Sequence, residues 1–362
     1  MKKTLALLVV LAASTLSFSA QKPLKKIDFL TNYVFLGRHA PFFVGLEKGY
    51  YRDAGFDITI SPSSGSGFVI AALEGGQADY GIAEAAPVVQ AIAKGAKVKA
   101  FGVFMDRSTS GLVSLTPYPT PQSIAGKTIA ASVTDSARII LPIIFNLEGL
   151  DATTLNWQAA DPSIYFPLLL QGRAELVTAS IDSDVPTLRH RVRGKPVHFA
   201  SFAEWGYDVF GYFLVARSDH ITSNPNEVRA FAAATAKAVH YAIAHPEEAA
   251  QIIVKHNPTL DENLMLAHWQ QSVIAIDTDY VRENGYGQAT TERLRRSIKL
   301  VKEAFGLEVD LAPEDVYAEG FMPNNNRAGS SRDRNRLDVV DVDVLPRVPE
   351  IVVVLHREPT LR

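Results

Sequence analysis

The sequence predicts an α/β fold that is built from two lobes. Short apolar runs alternate with helical patterns along most of the chain, which is typical of mostly parallel strands covered by helices. The alternation is interrupted by prolines near residue 117, begins again, and gives way to consecutive helical patterns after residue 224. We therefore expect two α/β lobes, the first of which is completed by C-terminal helices.

The first lobe is predicted to begin with strands and helices in alternation. Phe42 and Leu46 recur at helical spacing after the first strand, and Gly55 is suited to end that helix. Residues 56–60 alternate between apolar and polar in the manner of a strand. The predicted strands cover residues 27–30, 56–60, 78–83 and 98–104, and the predicted helices cover 39–54, 68–73 and 86–94.

The second lobe is predicted to repeat this alternation, and two extended runs are interpreted as the strands that cross between the lobes. Two crossing strands suit a hinge, because they can absorb closure of one lobe over the other. The predicted division is 25–112 plus 213–322 for lobe 1 and 116–210 for lobe 2. The predicted elements are strands at 127–131, 156–159, 175–179 and 196–200, helices at 135–147, 165–171, 184–191, 225–244, 247–256, 262–276 and 290–305, and crossing runs at 111–115 and 211–216.

The two ends of the chain differ from the rest. Lys2 and Lys3 precede an apolar run and a series of small residues, so residues 1–20 have the pattern of a secretory signal peptide. Without cysteine, the chain has no residue that could carry a lipid after cleavage, and we expect an unanchored protein in the periplasm. Residues 324–362, after Pro323, are interpreted as a linker-like or disordered tail.

Composition narrows the classes of function. The formal net charge of −3 does not favour a nucleic-acid partner or a polybasic membrane surface. The absence of cysteine excludes thiolate metal sites and cysteine nucleophiles. The histidines lack metal-ligand spacing, and neither a nucleophile elbow nor a P-loop is present. We therefore predict no catalytic residues, no metal site, no cofactor and no enzymatic activity.

Three motifs carry a resemblance to a known family. They are PFFVGLEKGYYRDAGFDI at 41–58, ALEGGQADYGI at 72–82 and SIAGKTIA at 123–130. In this order they resemble the signatures of ABC-importer substrate-binding proteins of the group that includes sulfonate, nitrate and thiamine-pyrimidine receptors and the fungal thiamine-pyrimidine synthases. The resemblance implies the type II periplasmic-binding-protein fold, a small-molecule ligand, hinge closure, the membrane subunits of an importer as partners, and a monomer.

Candidate ligand contacts follow from the position of the strand ends. In open α/β sheets, ligands bind outside the carboxyl ends of the strands, where loops and helix N-termini converge. Some of these positions have a structural alternative: Thr134 or Asp135 could cap a helix, and the aromatic residues could pack between lobes. The candidates are Asn32, Tyr33, His39, Ser64, Ser66 and Glu84 in the first lobe, Thr134, Asp135, Ser136, Arg138, Ser180 and Asp182 in the second, and Trp205, Tyr207 and Asp208 near the return crossing.

The polarity of these candidates favours one class of ligand. A carboxylate such as Glu84 at a strand end repels an oxyanion and suits a ligand that donates hydrogen bonds. Tyr33, Trp205 and Tyr207 are candidates to stack on a flat ring. We expect a planar nitrogen heterocycle such as a thiamine-pyrimidine precursor, and we expect Glu84→Ala and Trp205→Ala each to weaken its binding by about 1–3 kcal/mol.

Three alternatives stay open. A small oxyanion such as sulfonate, taurine or nitrate would instead be held by Arg138 and the Ser63 loop. A ligand-sensing module that docks on a membrane kinase or chemoreceptor would use the same two lobes. A synthase-like enzyme is the alternative of another class, and it is disfavoured because the resembling synthases carry a cysteine-rich motif and this chain has no cysteine.

Overall fold

The computed structural model describes residues 23–192 and 194–323, which form two α/β lobes. The predicted signal peptide and the predicted tail lie outside the described residues. The strands are β1 Lys25–Leu30, β2 Phe56–Ser61, β3 Tyr80–Glu84, β4 Val98–Met105, β5 Ser110–Ser114, β6 Thr128–Ala131, β7 Asn156–Ala159, β8 Leu176–Ser180, β9 His198–Ser201 and β10 Tyr212–Arg217. The helices are α1 Ala40–Glu47, α2 Tyr50–Asp53, α3 Ser66–Glu74, α4 Ala85–Ala93, α5 Ala137–Leu147, α6 Tyr165–Leu170, α7 Asp184–Val192, α8 Ser218–Ser223, α9 Pro225–Ala244, α10 Pro246–His256, α11 Glu262–Ile276, α12 Asp279–Asn284, α13 Thr291–Phe305 and α14 Pro313–Val316.

Each lobe contains a mixed five-stranded sheet. The strand order is β2-β1-β3-β10-β4 in the first lobe and β7-β6-β8-β5-β9 in the second. In the first sheet, β1 is parallel to β2 and β3, whereas β10 is antiparallel to both of its neighbours. In the second sheet, β6 is parallel to β7 and β8, whereas β5 is antiparallel to β8 and β9. The predicted two-lobed α/β fold is confirmed, with one antiparallel strand inside each sheet.

The connections between the lobes are loops rather than strands. The chain leaves the first sheet after Met105. In the second sheet, β5 pairs over its whole length with β8 and from Gly111 to Ser114 with β9. The chain leaves the second sheet after Ser201 and re-enters the first at Tyr212. The expected boundary between 112 and 116 therefore differs from the sheet pairing by several residues. The reason is that an extended run in the sequence does not reveal which sheet it joins.

The C-terminal helices cover one face of the first sheet. Phe231 on α9 stacks on Tyr80 of β3 with ring centroids 4.2 Å apart, and it also stacks on Tyr51 at 5.3 Å. The buried Trp269 on α11 donates its indole N–H to the Ala242 carbonyl at 2.8 Å. Burying these rings against the strands stabilises the lobe and fixes α11 beside the interlobe cleft.

One predicted helix is divided in the structure. The expected helix over 39–54 ends as α1 at Glu47 and restarts as α2 at Tyr50. Gly49, between them, adopts a φ of 73°, which a glycine reaches without steric cost. The short helices α8, α12 and α14 were not predicted, because segments of four to six residues give little periodic signal. Among residues 23–192 and 194–323, no helix has both the length and the apolar character to cross a membrane.

Candidate functional site

A cleft of about 690 Å³ lies between the two lobes. Its first wall is formed by the ends of the first-lobe strands and the loops that follow them, including Asn32 and Glu84. Its second wall is formed by the end of β8 and the starts of α5 and α7, including Ser180 and Asp184. The cleft therefore lies at the carboxyl ends of parallel strands from both lobes, where ligands of such folds bind.

Glu84 is an acid in the first-lobe wall of this cleft. It is the last residue of β3, and its backbone N–H donates to the Ser66 hydroxyl at 3.0 Å. Its carboxylate accepts a hydrogen bond from the Tyr212 hydroxyl at 3.3 Å. Burial is the main cause that raises the pKa of Glu84, and the charges of Asp182 and Asp135 add to it, while the Arg38 charge and the Tyr212 hydrogen bond oppose it. The site thus holds a carboxyl group that gives up its proton less readily than an exposed one.

A buried ion pair joins the two lobes beside Glu84. Arg38, in a 3-10 turn of the first lobe, contacts Asp182 of the second lobe with Nη1 and Oδ2 2.7 Å apart. Both residues are at most 4% exposed, and Arg38 also donates to the Tyr212 hydroxyl at 2.9 Å. Burial by itself would lower the pKa of Arg38, but Asp182 and neighbouring acids outweigh it and raise that pKa. Arg38 therefore stays charged, and its charge is balanced by the opposite lobe.

Asp182 was predicted to contact the ligand, but its oxygens are engaged by the protein. Besides Arg38, the carboxylate accepts hydrogen bonds from the hydroxyls of Ser180 at 2.9 Å and Ser272 at 3.2 Å. The Ser180 hydroxyl is in turn 2.7 Å from the Thr109 hydroxyl. Asp182 is 1% exposed and does not line the cleft. Its contacts assign it to the interface between the lobes.

His39 was also predicted as a ligand contact, and it lies one layer behind the cleft. The Leu36 backbone N–H donates to its Nδ1 at 3.1 Å, so the ring proton is on Nε2 and is donated to the Asn32 side-chain oxygen at 2.9 Å. Burial is the main cause that lowers the pKa of His39 well below its ordinary value, and the Arg38 charge adds to it. Neutral His39 therefore orients Asn32, which does line the cleft.

His268 lines the cleft and was not among the predicted residues. Thr187 donates its hydroxyl proton to the Ser183 carbonyl at 2.6 Å, so its oxygen accepts a hydrogen bond from Nε2 of His268 at 3.0 Å. Within the described part of the chain, the buried Nδ1 of His268 has no partner. Burial lowers the pKa of His268 to about 4, which Asp182 opposes and Arg38 reinforces. A neutral histidine from α11 thus bridges to α7 of the other lobe.

Asp135 combines the two roles that the sequence left open. It lines the cleft at the start of α5, and one carboxylate oxygen accepts from the Ala137 backbone N–H at 2.9 Å. The other oxygen accepts from the Thr178 hydroxyl at 2.6 Å and from the Tyr165 hydroxyl at 3.3 Å. The carboxylate is therefore held in a fixed orientation at the second-lobe wall.

Arg138 is not brought into the cleft. Its guanidinium donates to the carbonyls of Ser132 at 2.7 Å and Ala131 at 3.0 Å. It also lies over the ring of Trp157 at 4.8 Å from the centroid. These contacts fix the loop before α5 and leave the cation facing away from the candidate site.

Trp205 and Asp208 are likewise placed elsewhere. Trp205 is 7% exposed, belongs to a hydrophobic core and donates to the Pro119 carbonyl at 3.3 Å. Asp208 pairs with Arg293 at 3.5 Å and with Arg296 at 3.7 Å. Neither residue lines the cleft, so Trp205→Ala is now expected to affect stability rather than ligand contact.

The remaining candidates do line cavities. A second cavity of about 340 Å³ adjoins the cleft. Residues that the sequence pattern does not single out also contribute to the cleft wall, namely Asp184, Arg191, Tyr212 and His268. Of the predicted residues, the cleft is lined by Asn32, Tyr33, Ser64, Ser66, Glu84, Asp135, Ser136 and Ser180, and the second cavity is lined by Glu84, Thr134, Ser136 and Tyr207. Within residues 23–192 and 194–323, no cluster of His, Cys, Asp and Glu has the grouping of a metal site.

The comparison with protein families agrees with the motifs. The sequence model of the family described as NMT1/THI5 like matches residues 37–249. This span starts in the turn that carries Arg38 and runs through the second lobe into α10. It includes Glu84 and Ser180, which lie at strand ends on the two walls of the cleft, and it begins after Asn32.

The relatives correct one prediction. A curated protein from Candida albicans (strain WO-1), named 4-amino-5-hydroxymethyl-2-methylpyrimidine phosphate synthase, is 25% identical over 287 residues, which are 73% of this chain and 83% of the relative. Other curated relatives carry the same name. The expectation that the chain has no enzymatic activity is therefore wrong by this comparison, since these relatives are named as enzymes.

Solved structures with the same architecture are periplasmic binding proteins. The periplasmic aliphatic sulphonate binding protein SsuA from Escherichia coli is 15% identical with a TM-score of 0.57, over 68% of this chain and 83% of that one. The periplasmic nitrate-binding protein NrtA from Synechocystis PCC 6803 is 13% identical with a TM-score of 0.51, over 83% and 92%. At this identity the likeness shows the fold, and the predicted periplasmic-binding-protein fold is confirmed.

Proposed function

The chain belongs to the NMT1/THI5-like family, and we propose that it binds a small planar nitrogen heterocycle in the cleft between its lobes. The candidate ligand is an aminopyrimidine of the thiamine-precursor type. In this proposal the chain is exported to the periplasm and delivers the ligand to the membrane subunits of an ABC importer. The observation that carries the proposal is the position of Glu84 in a cleft walled by both lobes.

The charges of the cleft support a ligand that donates hydrogen bonds. Glu84, Asp135 and Asp184 line the cleft, whereas its cations are Arg38 and Arg191. The charge of Arg38 is balanced by Asp182, which leaves an excess of carboxyl groups facing the ligand. An amino group and ring N–H groups satisfy carboxylate acceptors, while a nitrate or sulfonate would be repelled by them.

The raised pKa values of two carboxyl groups in the cleft favour a second kind of ligand contact, with a ring nitrogen. Burial raises the pKa of Asp184, although the hydrogen bond from the Ser180 backbone N–H opposes this effect. Burial likewise raises the pKa of Glu84. A raised pKa brings each carboxyl group closer to sharing a proton with a bound ring nitrogen, so both residues also suit a ligand that has such an acceptor. An aminopyrimidine offers amino donors and ring-nitrogen acceptors side by side.

Aromatic side chains provide surfaces for a flat ring. Tyr33 and Tyr212 from the first lobe, and Tyr165, Phe166 and Phe202 from the second, line the cleft. Tyr33 is 49% exposed at the mouth, so a ligand ring can cover its open face. Stacking on such faces buries apolar area and favours planar ligands over small compact anions.

The two-lobed geometry supports capture by closure of the lobes. A ligand that contacts both walls stabilises the arrangement in which the walls are close, and it shifts the population toward that closed form. The loops after Met105 and after Ser201 are the segments in which the lobes can rotate. Closure would present a fixed surface across both lobes to the importer subunits.

A second candidate function is the formation of such a pyrimidine. It is favoured by the name shared by the curated relatives, which describes synthesis of a phosphorylated aminopyrimidine. Binding an aminopyrimidine in the cleft is common to both candidates. They differ in the chemistry: a receptor releases the molecule that it bound, whereas a synthase forms the pyrimidine from a precursor.

The test is thermal unfolding of the purified protein with hydroxymethyl-aminopyrimidine, thiamine, riboflavin, taurine and nitrate. A ligand of the folded state adds about 2.7 kcal/mol of stability at a hundredfold excess over its dissociation constant. We expect this shift with a heterocycle, and we expect Glu84→Gln to reduce it. Asp53→Asn is the matched control, because Asp53 is an exposed acid away from the cleft.

The outcomes separate the alternatives. A shift with taurine or nitrate alone would refute the heterocycle proposal. Equal shifts in Glu84→Gln and in the wild type would remove Glu84 from the site. A separate incubation with candidate precursors of the pyrimidine, analysed by mass spectrometry, then distinguishes the two candidate functions, since only a synthase yields an aminopyrimidine phosphate that was not added.

A further inference from the structure

Tyr212 and Glu84 are held side by side by the first sheet. They are partners in the antiparallel register of β10 and β3, with Tyr212 at the start of one strand and Glu84 at the end of the other. Side chains at directly opposed positions lie on the same face of a sheet. The backbone therefore fixes the tyrosine hydroxyl next to a carboxyl group that lines the cleft.

The hydrogen bonds of the Tyr212 hydroxyl have a fixed direction. The Arg38 guanidinium has only donors, so the tyrosine oxygen accepts the hydrogen bond from Nη1 at 2.9 Å. The single phenolic proton is donated to Oε1 of Glu84, 3.3 Å away. Burial is the main cause that raises the pKa of Tyr212, so the phenol keeps this proton. The hydroxyl therefore connects a buried cation to an acid of the candidate site.

Arg38 connects these two residues to the second lobe. The Nη1 atom that contacts Tyr212 also lies 2.7 Å from Oδ2 of Asp182, and Nη2 donates to the Ser183 hydroxyl at 3.4 Å. We call the contact of Arg38 with Asp182 the interlobe ion pair. Asp182 is 1% exposed and lines neither cavity, so its effect on a ligand must pass through other groups. The contacts run in the order Asp182, Arg38, Tyr212 and Glu84.

The groups around Glu84 act on its charge in opposite senses. Burial and the charges of Asp182 and Asp135 disfavour the ionised carboxylate. The Arg38 charge and the hydrogen bond from Tyr212 favour it. Because Asp182 belongs to the second lobe, a movement of that lobe changes how much of the Arg38 charge acts on Tyr212 and Glu84.

We propose that Tyr212 is a positioning residue that links the carboxyl group of Glu84 to the interlobe ion pair. Through this link, closure of the lobes changes how strongly Glu84 accepts a hydrogen bond from a ligand. Coupling between two contacts is reciprocal, so a ligand on Glu84 changes the stability of the interlobe ion pair by the same factor. The inference rests on the proposed function and deepens it, because it names the residue that connects ligand contact to closure.

The link is tested first on the full chain alone, by carbon-13 NMR titration of labelled glutamate carboxyl groups. The signal of Glu84 is the one that is absent from Glu84→Gln. We expect Tyr212→Phe to raise the pKa of Glu84 by at least about 0.5, because it removes the donor and keeps the ring. Asp182→Asn should lower this pKa by at least about 0.5, because the Arg38 charge is then no longer balanced.

Two matched controls remove similar contacts elsewhere. Tyr51→Phe removes a buried hydroxyl that lies 3.2 Å from the Thr235 hydroxyl. Asp106→Asn neutralises an acid that is 2% exposed and pairs with Arg293 at 2.9 Å. Tyr51 and Asp106 line neither cavity, so both controls should cost stability and leave the pKa of Glu84 at its wild-type value.

The double variant separates a link through Tyr212 from direct attraction between charges. If the hydroxyl carries the effect, Asp182→Asn lowers the pKa of Glu84 less in the Tyr212→Phe background than in the wild type. Equal effects in the two backgrounds would overturn the inference. An unchanged pKa of Glu84 in Tyr212→Phe would also overturn it, and this result needs no Asp182 variant to fold.

Calorimetric titration with hydroxymethyl-aminopyrimidine from about pH 5 to 8 tests the consequence for binding. Tyr212→Phe should weaken binding about three- to tenfold, and more at low pH than at high pH. Titration of the ligand itself is common to both proteins and cancels in the ratio of their dissociation constants. The same ratio at every pH would contradict the link. If the wild type binds no heterocycle, the proposed function fails, while the NMR titration still decides whether Tyr212 links Glu84 to the interlobe ion pair.

Discussion

Replacing His268 with glutamine is expected to flatten the pH dependence of stability between pH 6.5 and 4. His268 is 2% exposed, and burial lowers its pKa from 6.5 to about 4. Asp182 opposes this shift and Arg38 reinforces it. Below pH 6.5 the unfolded chain takes up a proton that folded His268 does not accept until about pH 4. The free energy of unfolding is therefore fully retained above pH 6.5 and falls as the pH decreases through this window.

The magnitude follows from the width of the window. Each pH unit over which only the unfolded state holds the proton removes about 1.4 kcal/mol. Between 6.5 and about 4 the loss due to His268 amounts to roughly 3 kcal/mol. Glutamine does not titrate, and its amide N–H can still donate to the Thr187 hydroxyl. The variant should therefore keep the interlobe hydrogen bond and lose this component of acid sensitivity.

The measurement is urea unfolding at half-unit steps from pH 4 to pH 7.5, monitored by circular dichroism. The difference in unfolding free energy between His268→Gln and the wild type should change by roughly 3 kcal/mol across the window, in favour of the variant at low pH. His190→Gln is the control, because this ring is exposed on α7. Parallel curves for His268→Gln and the wild type would refute the reasoning.

Three further predictions concern stability. Asp182→Ala should cost about 3–5 kcal/mol in urea unfolding, because it leaves a buried arginine without its partner, and a cost below about 1 kcal/mol would contradict this. Glu84→Gln should stabilise the protein increasingly as the pH rises above 4.5, because burial raises the folded-state pKa of Glu84; an equal gain at pH 4 and pH 8 would contradict it. Gly37→Ala should cost about 1–3 kcal/mol in thermal unfolding, since a Cβ there meets the backbone of α11, whereas a Cβ at the control Gly67→Ala meets no atom within 4 Å.

Most helices and strands could be predicted because they depend on local periodicity. Long amphipathic segments such as α9 and α13 carry several turns of that signal. The break at Gly49 was missed because a single glycine is also compatible with a continuous helix. The antiparallel direction of β5 and β10 was missed because strand direction depends on pairing between distant segments.

The residues of the candidate site could be predicted where they lie at the ends of strands. Asn32, Glu84 and Ser180 line the cleft because each lies at or just after the end of a strand. The position of His268 could not be predicted in this way, because it lies within α11 and not at a strand end. Its contact with the other lobe is to Thr187, 81 residues away in the sequence. Such residues are placed by helix packing, which the sequence pattern does not encode locally.

The central position of β10 in the first sheet has a consequence for the order in which the chain can fold. β3 and β4 pair with β10 rather than with each other, so the first sheet cannot be completed before residues 212–217 are available. All strands of the second sheet lie within 110–201. During synthesis from the N-terminus, the inserted lobe thus has every strand it needs while β3 and β4 still expose unpaired edges. The lobe that begins first in the sequence is the last to be completed.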